Sequence, residues 1–341
     1  MKLATYQDGS RDGQLVVVSR DLAAAHYATG IATHLQQVLD DWNFMAPQLQ
    51  DLSDALNAGR ARHPFAFEPA RCMAPLPRAH QRLGGAAYPS HVELVHATGG
   101  SDLRAAGDAG PLLSQRASDD LLGARDDIRV SDESFGIDFG GELAAITGDV
   151  PLGATPEQGL EAVRLLMLAN DVTLRRLIDA ERASGQGLVQ GKPATAFSAV
   201  AVTPDELGDA WRQGRVHLTL HVSWNGHKVG LCETGPEMRF HFGELIAHAA
   251  RTRRLRAGTI VGSGTVSNQG TRQDGRREWS RGFGCIAEKR AMERIEHGAP
   301  STDYLKHGDT VRIEMKGRDG QPLFGAIEQR VGPVAPHARR R

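Results

Sequence analysis

The chain has 341 residues, with 40 Lys plus Arg against 41 Asp plus Glu and a formal net charge of -1. At about 100–200 residues per domain this length suits two unequal domains, and the balanced charge excludes a global electrostatic footprint for nucleic acid or an acidic membrane. A hydrophobic share of 40% with 24% charged residues excludes a disordered chain, while 39 glycines and 5% aromatics favour many turns and short strands over a helical bundle.

The N-terminus, Met1 to Asp8, lacks the apolar core of a signal peptide, so a cytoplasmic protein is expected. No apolar run approaches the roughly 18 residues of a membrane span. Leu3–Tyr6 and Leu15–Val18 read as a hairpin across Asp8–Gly13. Amphipathic helical patterns follow near His34–Trp42 and Pro47–Ala58. The prolines of Arg62–Ala70 mark a linker or domain edge near 60–78. The stretch Thr98–Asp127 is Gly-rich and weakly periodic, and reads as a surface insertion or an active-site lid. Gly136–Ile146 is a candidate strand. Thr155-Pro156-Glu157-Gln158 is a capping box that predicts a helix through about Asn170, and Thr203-Pro204-Asp205-Glu206 repeats the start signal. Val216–Trp224 and Lys228–Cys232 flank the hairpin turn Asn225-Gly226. Thr259–Val266 and Asp309–Met315 complete the clear strands.

Cys72, Cys232 and Cys285 are odd in number and widely spaced, so they read as small buried hydrophobes. Gly191-Lys192 superficially suggests a phosphate-binding loop, but Gln186 and Pro193 break the pattern. Gly262-Ser263-Gly264 has too few glycines for a dinucleotide fingerprint. The basic run Arg251–Arg256 reads as a solvated helix end, with a phosphate or nucleic-acid patch as the lesser alternative.

Five patches carry chemistry-bearing residues. They are Tyr88–Glu93 with His91, Ile137–Ala144 with Glu142, Asn170–Arg175 at an expected helix end, Gly191-Lys192, and Gly262–Asn268 ahead of Phe283–Glu288. Each alone has a structural alternative. His91 could be a satisfied interior histidine, Glu142 a paired charge, Arg175 and Arg176 a solvated helix end, and Glu288 part of a charged surface.

Together and in this order they resemble the fumarylacetoacetate hydrolase family over about residues 75 to 335. The most specific pieces are Asn-Asp-x-Thr-x-Arg at 170–175, Gly-Lys at 191–192 and Gly-Thr-Val-Ser at 264–267. The resemblance implies an α+β chain. A small N-terminal α+β domain (1–75) precedes a catalytic domain (76–335) whose strands form a β-rich mixed-sheet roll, and 336–341 is an exposed basic tail. It also implies a homodimer with a small dicarbonyl acid as substrate, no nucleic-acid or membrane partner, and a divalent cation, Mg2+ or else Ca2+ or Mn2+. Carried over by position, Glu142 and Asp171 would hold the metal. His91 would be the general base oriented by Glu288, and Lys192 would face the developing oxyanion. Arg175, Thr265 and Tyr88 would contact the substrate. The implied activity is hydrolysis of a C–C bond, with fumarylacetoacetate first and acylpyruvates such as fumarylpyruvate next. Decarboxylation or isomerisation of a 2-oxo acid is the alternative chemistry on this scaffold.

One departure stands out. The family pattern is Glu-x-Glu, and its first position here is Gly140. Asp138 shares the strand face but lies about 13 Å from Glu142 at ~3.3 Å per residue, too far to serve the same ion. Weakened metal binding is therefore expected, with a metal-impaired, non-catalytic relative as the competing identity. Glu93 follows His91 by two residues, not three, which favours Glu288 as its partner. Val172 stands where an aromatic is common.

Overall fold

A computed structural model of the chain describes residues 1–97, 110–185, 187–275 and 277–334. The opening hairpin forms as its pattern implies: Lys2–Tyr6 pairs antiparallel with Gln14–Val18. Its alternating side chains serve two cores. Leu3, Leu15 and Val17 pack with Leu35, Val38 and Leu49 of the helices Leu35–Asp40 and Trp42–Asn57. Ala4, Tyr6, Val16 and Val18 face the larger core. The first strand also pairs with Ala201–Val202, so the N-terminal hairpin continues into a twelve-stranded sheet.

From the middle of that sheet to one edge run Val163–Asn170, Gly141–Thr147, Ile260–Gly262, Arg82–Gly85 and Leu113–Arg116, in that order. Ile260–Gly262 runs parallel to Arg82–Gly85, while the neighbouring pairs are antiparallel. A five-stranded sheet including Thr219–Trp224, His227–Glu233 and Thr310–Met315 packs against it. The architecture is α+β with a large mixed sheet, as the resemblance implied. No helix among the described residues is long and apolar enough to cross a membrane.

The structure corrects several boundaries. The capping box at Thr155 forms, but its helix is only Pro156–Glu161, and Val163–Asn170 is a strand. Val-Arg-Leu-Leu-Met-Leu-Ala-Asn is nearly all apolar, and a strand buried on both faces cannot be told from a buried helix by periodicity. Asn170 therefore ends a strand, and Arg175 begins the helix Arg175–Ser184 instead of ending one. The expected strand 136–146 divides into Ile137–Asp138 and Gly141–Thr147, broken at Phe139-Gly140. Within the expected lid, Leu113–Arg116 and Leu121–Leu122 are built into the large sheet. Its residues 98–109, and the tail 336–341, lie outside the described residues. All three cysteines are free and buried.

Two local features hold the site's elements in place. Gly264 has φ +81°, and a Cβ there would stand 2.4 Å from the Gly85 carbonyl. Only glycine lets the Gly-Thr-Val-Ser turn approach the Arg82–Gly85 strand so closely. The helix Ile286–His297 is anchored near its end by Glu293, which accepts from the Ser301 and Thr302 N–H groups and the Thr302 hydroxyl. Burial alone would raise this carboxyl, but those donors bring it down from 4.5 to about 2. The stabilisation is therefore present above pH 4.5 and lost as pH falls through about 2. Glu293→Gln should cost about 1.5–3 kcal/mol at neutral pH, read by urea unfolding. Its deficit against the parent chain should close as the pH falls through that window.

Candidate functional site

The strand Gly141–Thr147 and the turn after Val163–Asn170 bring Glu142 and Asp171 into one buried cluster. The two segments are cross-linked at their ends. Gly140 N–H donates to Asn170 Oδ1 at 3.0 Å, and Asp171 N–H donates to the Gly140 carbonyl at 2.9 Å. Asn170 in turn donates to Gln329 at 2.9 Å. The space over Gly140 is filled: a Cβ there would meet the Asp171 carbonyl at 2.9 Å and Thr265 Oγ1 at 3.4 Å. A glutamate at 140 would force the Asp171 backbone to move.

Asp171 is 1% exposed and both its oxygens are saturated. Oδ1 accepts from Arg82 Nη1 at 3.0 Å and Thr195 Oγ1 at 3.2 Å. Oδ2 accepts from Lys192 Nζ at 2.6 Å and Arg116 Nε at 3.3 Å. An ionised carboxylate offers about four such acceptor positions, and all are taken. Lys192 also donates to Thr173 Oγ1 at 2.6 Å. Burial would raise Asp171, but Lys192, Arg82 and Arg116 more than offset it and hold the carboxyl well below its usual range. Glu142 goes the other way. Burial and the Asp171 charge push it up, and the same three cations only partly compensate. Burial pushes the Lys192 ammonium down, with Asp171 opposing and Arg116 adding to the fall.

Arg82 and Arg116 escaped the sequence reading. They sit directly opposite each other on the antiparallel strands Arg82–Gly85 and Leu113–Arg116. Arg82 is wholly buried at 0% exposure. Its Nη2 lies 3.9 Å from Glu142 Oε2, and neither atom has a hydrogen-bond partner among the described residues. Gly84 lets Arg116 lie flat across the strand, since a Cβ there would stand 2.6 Å from the guanidinium carbon.

The second half of the site is the His91–Glu288 pair. His91 sits on the helix Pro89–Ala97 and Glu288 in the first turn of Ile286–His297. His91 Nδ1 donates to Glu288 Oε1 at 2.8 Å, which leaves Nε2 to take a proton. Glu288 is fully buried, not part of a surface face, and its Oε2 accepts from Gly284 N–H at 2.8 Å. The Gly284 carbonyl accepts from Gly141 N–H at 3.0 Å. The histidine pair is thus tied to the strand that carries Glu142. Glu93 is engaged elsewhere, pairing with Arg277 at 2.9 Å.

His91, Cys285 and Glu288 offer ligand-type atoms within 4.8 Å of one another. Burial, with the charges of Asp138 and Glu288, pushes the Cys285 thiol well above its ordinary value.

The expected substrate contacts are partly engaged in structural bonds. Arg175 is not a solvated helix end. Its Nε donates to Asp138 Oδ2 at 2.8 Å, and Nη2 reaches Cys285 at 3.5 Å. Asp138 also accepts from the Ile286 and Ala287 N–H groups at 2.6 and 3.0 Å, so it clamps the start of the Glu288 helix. The Tyr88 hydroxyl is fully buried and donates to the Thr234 carbonyl at 2.8 Å. Thr265, 7% exposed, remains beside Gly140.

The family model described as fumarylacetoacetate (FAA) hydrolase, C-terminal, matches residues 83–332. That for fumarylacetoacetase N-terminal domain 2 matches residues 1–78. No curated protein sequence matches the chain. A probable 2-hydroxyhepta-2,4-diene-1,7-dioate isomerase from Mycobacterium abscessus is 19% identical with a TM-score of 0.64, over 98% of this chain and 100% of that one. A fumarylacetoacetate hydrolase from Exiguobacterium antarcticum is 20% identical with a TM-score of 0.63, over 98% and 100%. A maleylpyruvate hydrolase from Sphingobium sp. SYK-6, in complex with manganese(II) and pyruvate, is 16% identical with a TM-score of 0.63, over 98% and 99%. At these identities the likeness is one of fold.

Enzymes of this family generally depend on a divalent metal, and the Sphingobium protein holds manganese. The side chains here do not fit such an ion. Asp171 has no free acceptor position, and Arg82 lies between it and Glu142. Among the described residues Arg82, Arg116 and Lys192 already face two carboxylates, Glu142 and Asp171.

The Asp138 clamp can be checked directly. Asp138→Ala leaves Arg175 unpaired in a buried setting, which should cost about 3–5 kcal/mol in equilibrium unfolding. The His91 ring resonances should shift in NMR spectra as the Glu288 helix loses its anchor.

Proposed function

The chain belongs to the fumarylacetoacetate hydrolase family, and we propose that it cleaves a C–C bond in a β-dicarbonyl acid by addition of water. The observation that carries this proposal is the His91–Glu288 bond at 2.8 Å. A histidine held through Nδ1 by a buried carboxylate is suited to take a proton from water at Nε2. Had the two residues stood apart, decarboxylation or isomerisation of a 2-oxo acid would have been favoured.

His91 removes a proton from water, and the hydroxide adds to the acyl carbonyl carbon. The resulting alkoxide collapses to a carboxylic acid, and the C–C bond to the central carbon breaks. Its electron pair passes into the enolate of the departing ketone fragment, which takes up a proton at carbon. Lys192 supplies fixed positive charge for the developing oxyanion, where such charge counts most. The magnesium implied by the resemblance has no step here, because Asp171 offers it no acceptor position.

Fumarylacetoacetate is the first substrate to assay, which would set the protein in tyrosine breakdown, and acylpyruvates come next. Pyruvate in the Sphingobium hydrolase supports a 2-oxo acid as the fragment bound. A homodimer belongs to the same proposal. Gly140 and the arginines facing Asp171 favour a second one, a ligand-binding relative without turnover.

Loss of the dicarbonyl absorbance, with products identified by mass spectrometry, tests these alternatives. His91→Asn should lower kcat by about 100- to 10,000-fold while the unfolding temperature stays within the scatter of surface variants. Absence of turnover by the parent chain on every dicarbonyl acid, with or without added metal, would leave the ligand-binding relative.

A further inference from the structure

We propose that Arg82, Arg116 and Lys192 form a metal-independent anion site, in which the Arg82 guanidinium stands in place of a divalent cation. The three cations would bind the carboxylate and enolate oxygens of a 2-oxo acid directly. The inference takes from the proposed function only the place of the site and the class of ligand.

Three observations carry it. First, Arg82 and Arg116 are like charges directly opposite on neighbouring strands, an arrangement that destabilises a sheet unless something draws both in. Here both reach Asp171, at 3.0 and 3.3 Å. Second, the positive charge is in excess. Even with Glu142 ionised, Arg82, Arg116 and Lys192 exceed Glu142 and Asp171 by one among the described residues. Surplus buried charge favours a counter-ion, which pairs it without the loss of a proton. Third, the cluster contains orphaned polar atoms. Among the described residues Arg82, at 0% exposure, has no hydrogen-bond partner for Nε or Nη2, and Glu142, at 2%, has none for Oε2. Such groups are rare in a finished interior and mark a place for a ligand or water oxygen.

The geometry suits an enol or enolate. Arg82 Nη2 and Glu142 Oε2 are 3.9 Å apart, close enough for one oxygen to bond both. An enol hydroxyl accepts from the first and donates to the second. Arg116 and Lys192, with side chains 10% and 11% exposed, form the more open side of the cluster, where a carboxylate can be met by two cations. Gly140 fits the same account. Without a second glutamate the site carries less negative charge to hold a metal, and the buried guanidinium has fewer carboxylates to satisfy.

Calorimetry on the full-length chain tests this with two probes, manganese chloride alone and oxalate, a planar dianion resembling the enolate of a 2-oxo acid. The parent chain should give no manganese isotherm, and oxalate should bind equally well in EDTA and in excess manganese. Arg116→Gln, on the more open side, should weaken oxalate binding in EDTA about tenfold to a hundredfold. Arg82→Met frees an acceptor position on Asp171 and should bring in a manganese isotherm. If Arg82→Met does not fold, by circular dichroism, the parent chain and Arg116→Gln still decide. Tight manganese binding by the parent chain, oxalate binding that requires manganese, no oxalate binding under either condition, or unchanged oxalate affinity in folded Arg116→Gln would each overturn the proposal. Oxalate binding in EDTA without turnover would leave this inference standing while the hydrolase falls. Turnover that requires tightly bound manganese would do the reverse.

Discussion

A carboxylate removed from water must find its hydrogen bonds within the protein, and Asp171 finds four. Each donor comes from a different part of the chain. Arg82 and Arg116 come from paired strands, Lys192 from the loop after Arg175–Ser184, and Thr195 from the strand Thr195–Phe197. The Asp171 backbone is joined to Gly140, and the neighbouring Asn170 side chain is joined to the same glycine. One buried charge thus fixes the mutual positions of five segments. Removing any one donor would leave the others facing an under-satisfied charge in a low-dielectric setting, where such a loss is most costly.

The histidine pair is built on an independent anchor. Asp138 neutralises Arg175 and caps the start of the Glu288 helix, and Gly284 joins Glu288 to the strand bearing Glu142. Asp138 and Glu142 thus lie on two short strands of one discontinuous segment, broken at Phe139-Gly140. The break lets the two acidic side chains serve different networks. Asp138, which shared a face with Glu142 on the expected continuous strand, orients the base instead of the cation cluster.

Much of this was legible in the sequence because the motifs are local. Asn170-Asp171 before Thr173, Gly191-Lys192 and His91 occur in short runs, and a run keeps its relative geometry when it folds. Glu288 was identifiable as the partner of His91 even though its charged neighbours, Lys289 and Arg290, suggested a surface. Arg82 and Arg116 were not legible, for a physical reason. An arginine in a short strand-like stretch reads as a solvent-facing residue, because arginine is almost never fully buried unless paired. Nothing in Arg82-Leu83-Gly84-Gly85 announces a partner 89 residues away. What brings the two arginines together is strand register, and register depends on the whole sheet. The helix expected over 155–170 failed for a related cause, since an apolar run central to a sheet carries no alternation to betray it.

The cluster also shows what a glycine at 140 allows. A metal site needs carboxylates whose lone pairs point at empty space, kept apart until the ion arrives. With glycine at 140 the local negative charge comes from Glu142 and Asp171, and the Arg82 guanidinium sits between them. Arg82 is a single charge spread over a planar group, so it neutralises less than a divalent ion would. Arg116 and Lys192 make up the difference from the more open side. Their positions are set by strand pairing and by Gly84, whose missing side chain gives Arg116 its path. The positive charge is therefore preorganised by the fold and needs no exchangeable ion to assemble it. A guanidinium cannot offer two adjacent coordination positions, so selectivity would pass from chelation to hydrogen-bond geometry. The oxygen that best fits between Arg82 and Glu142 is one that can accept and donate at once.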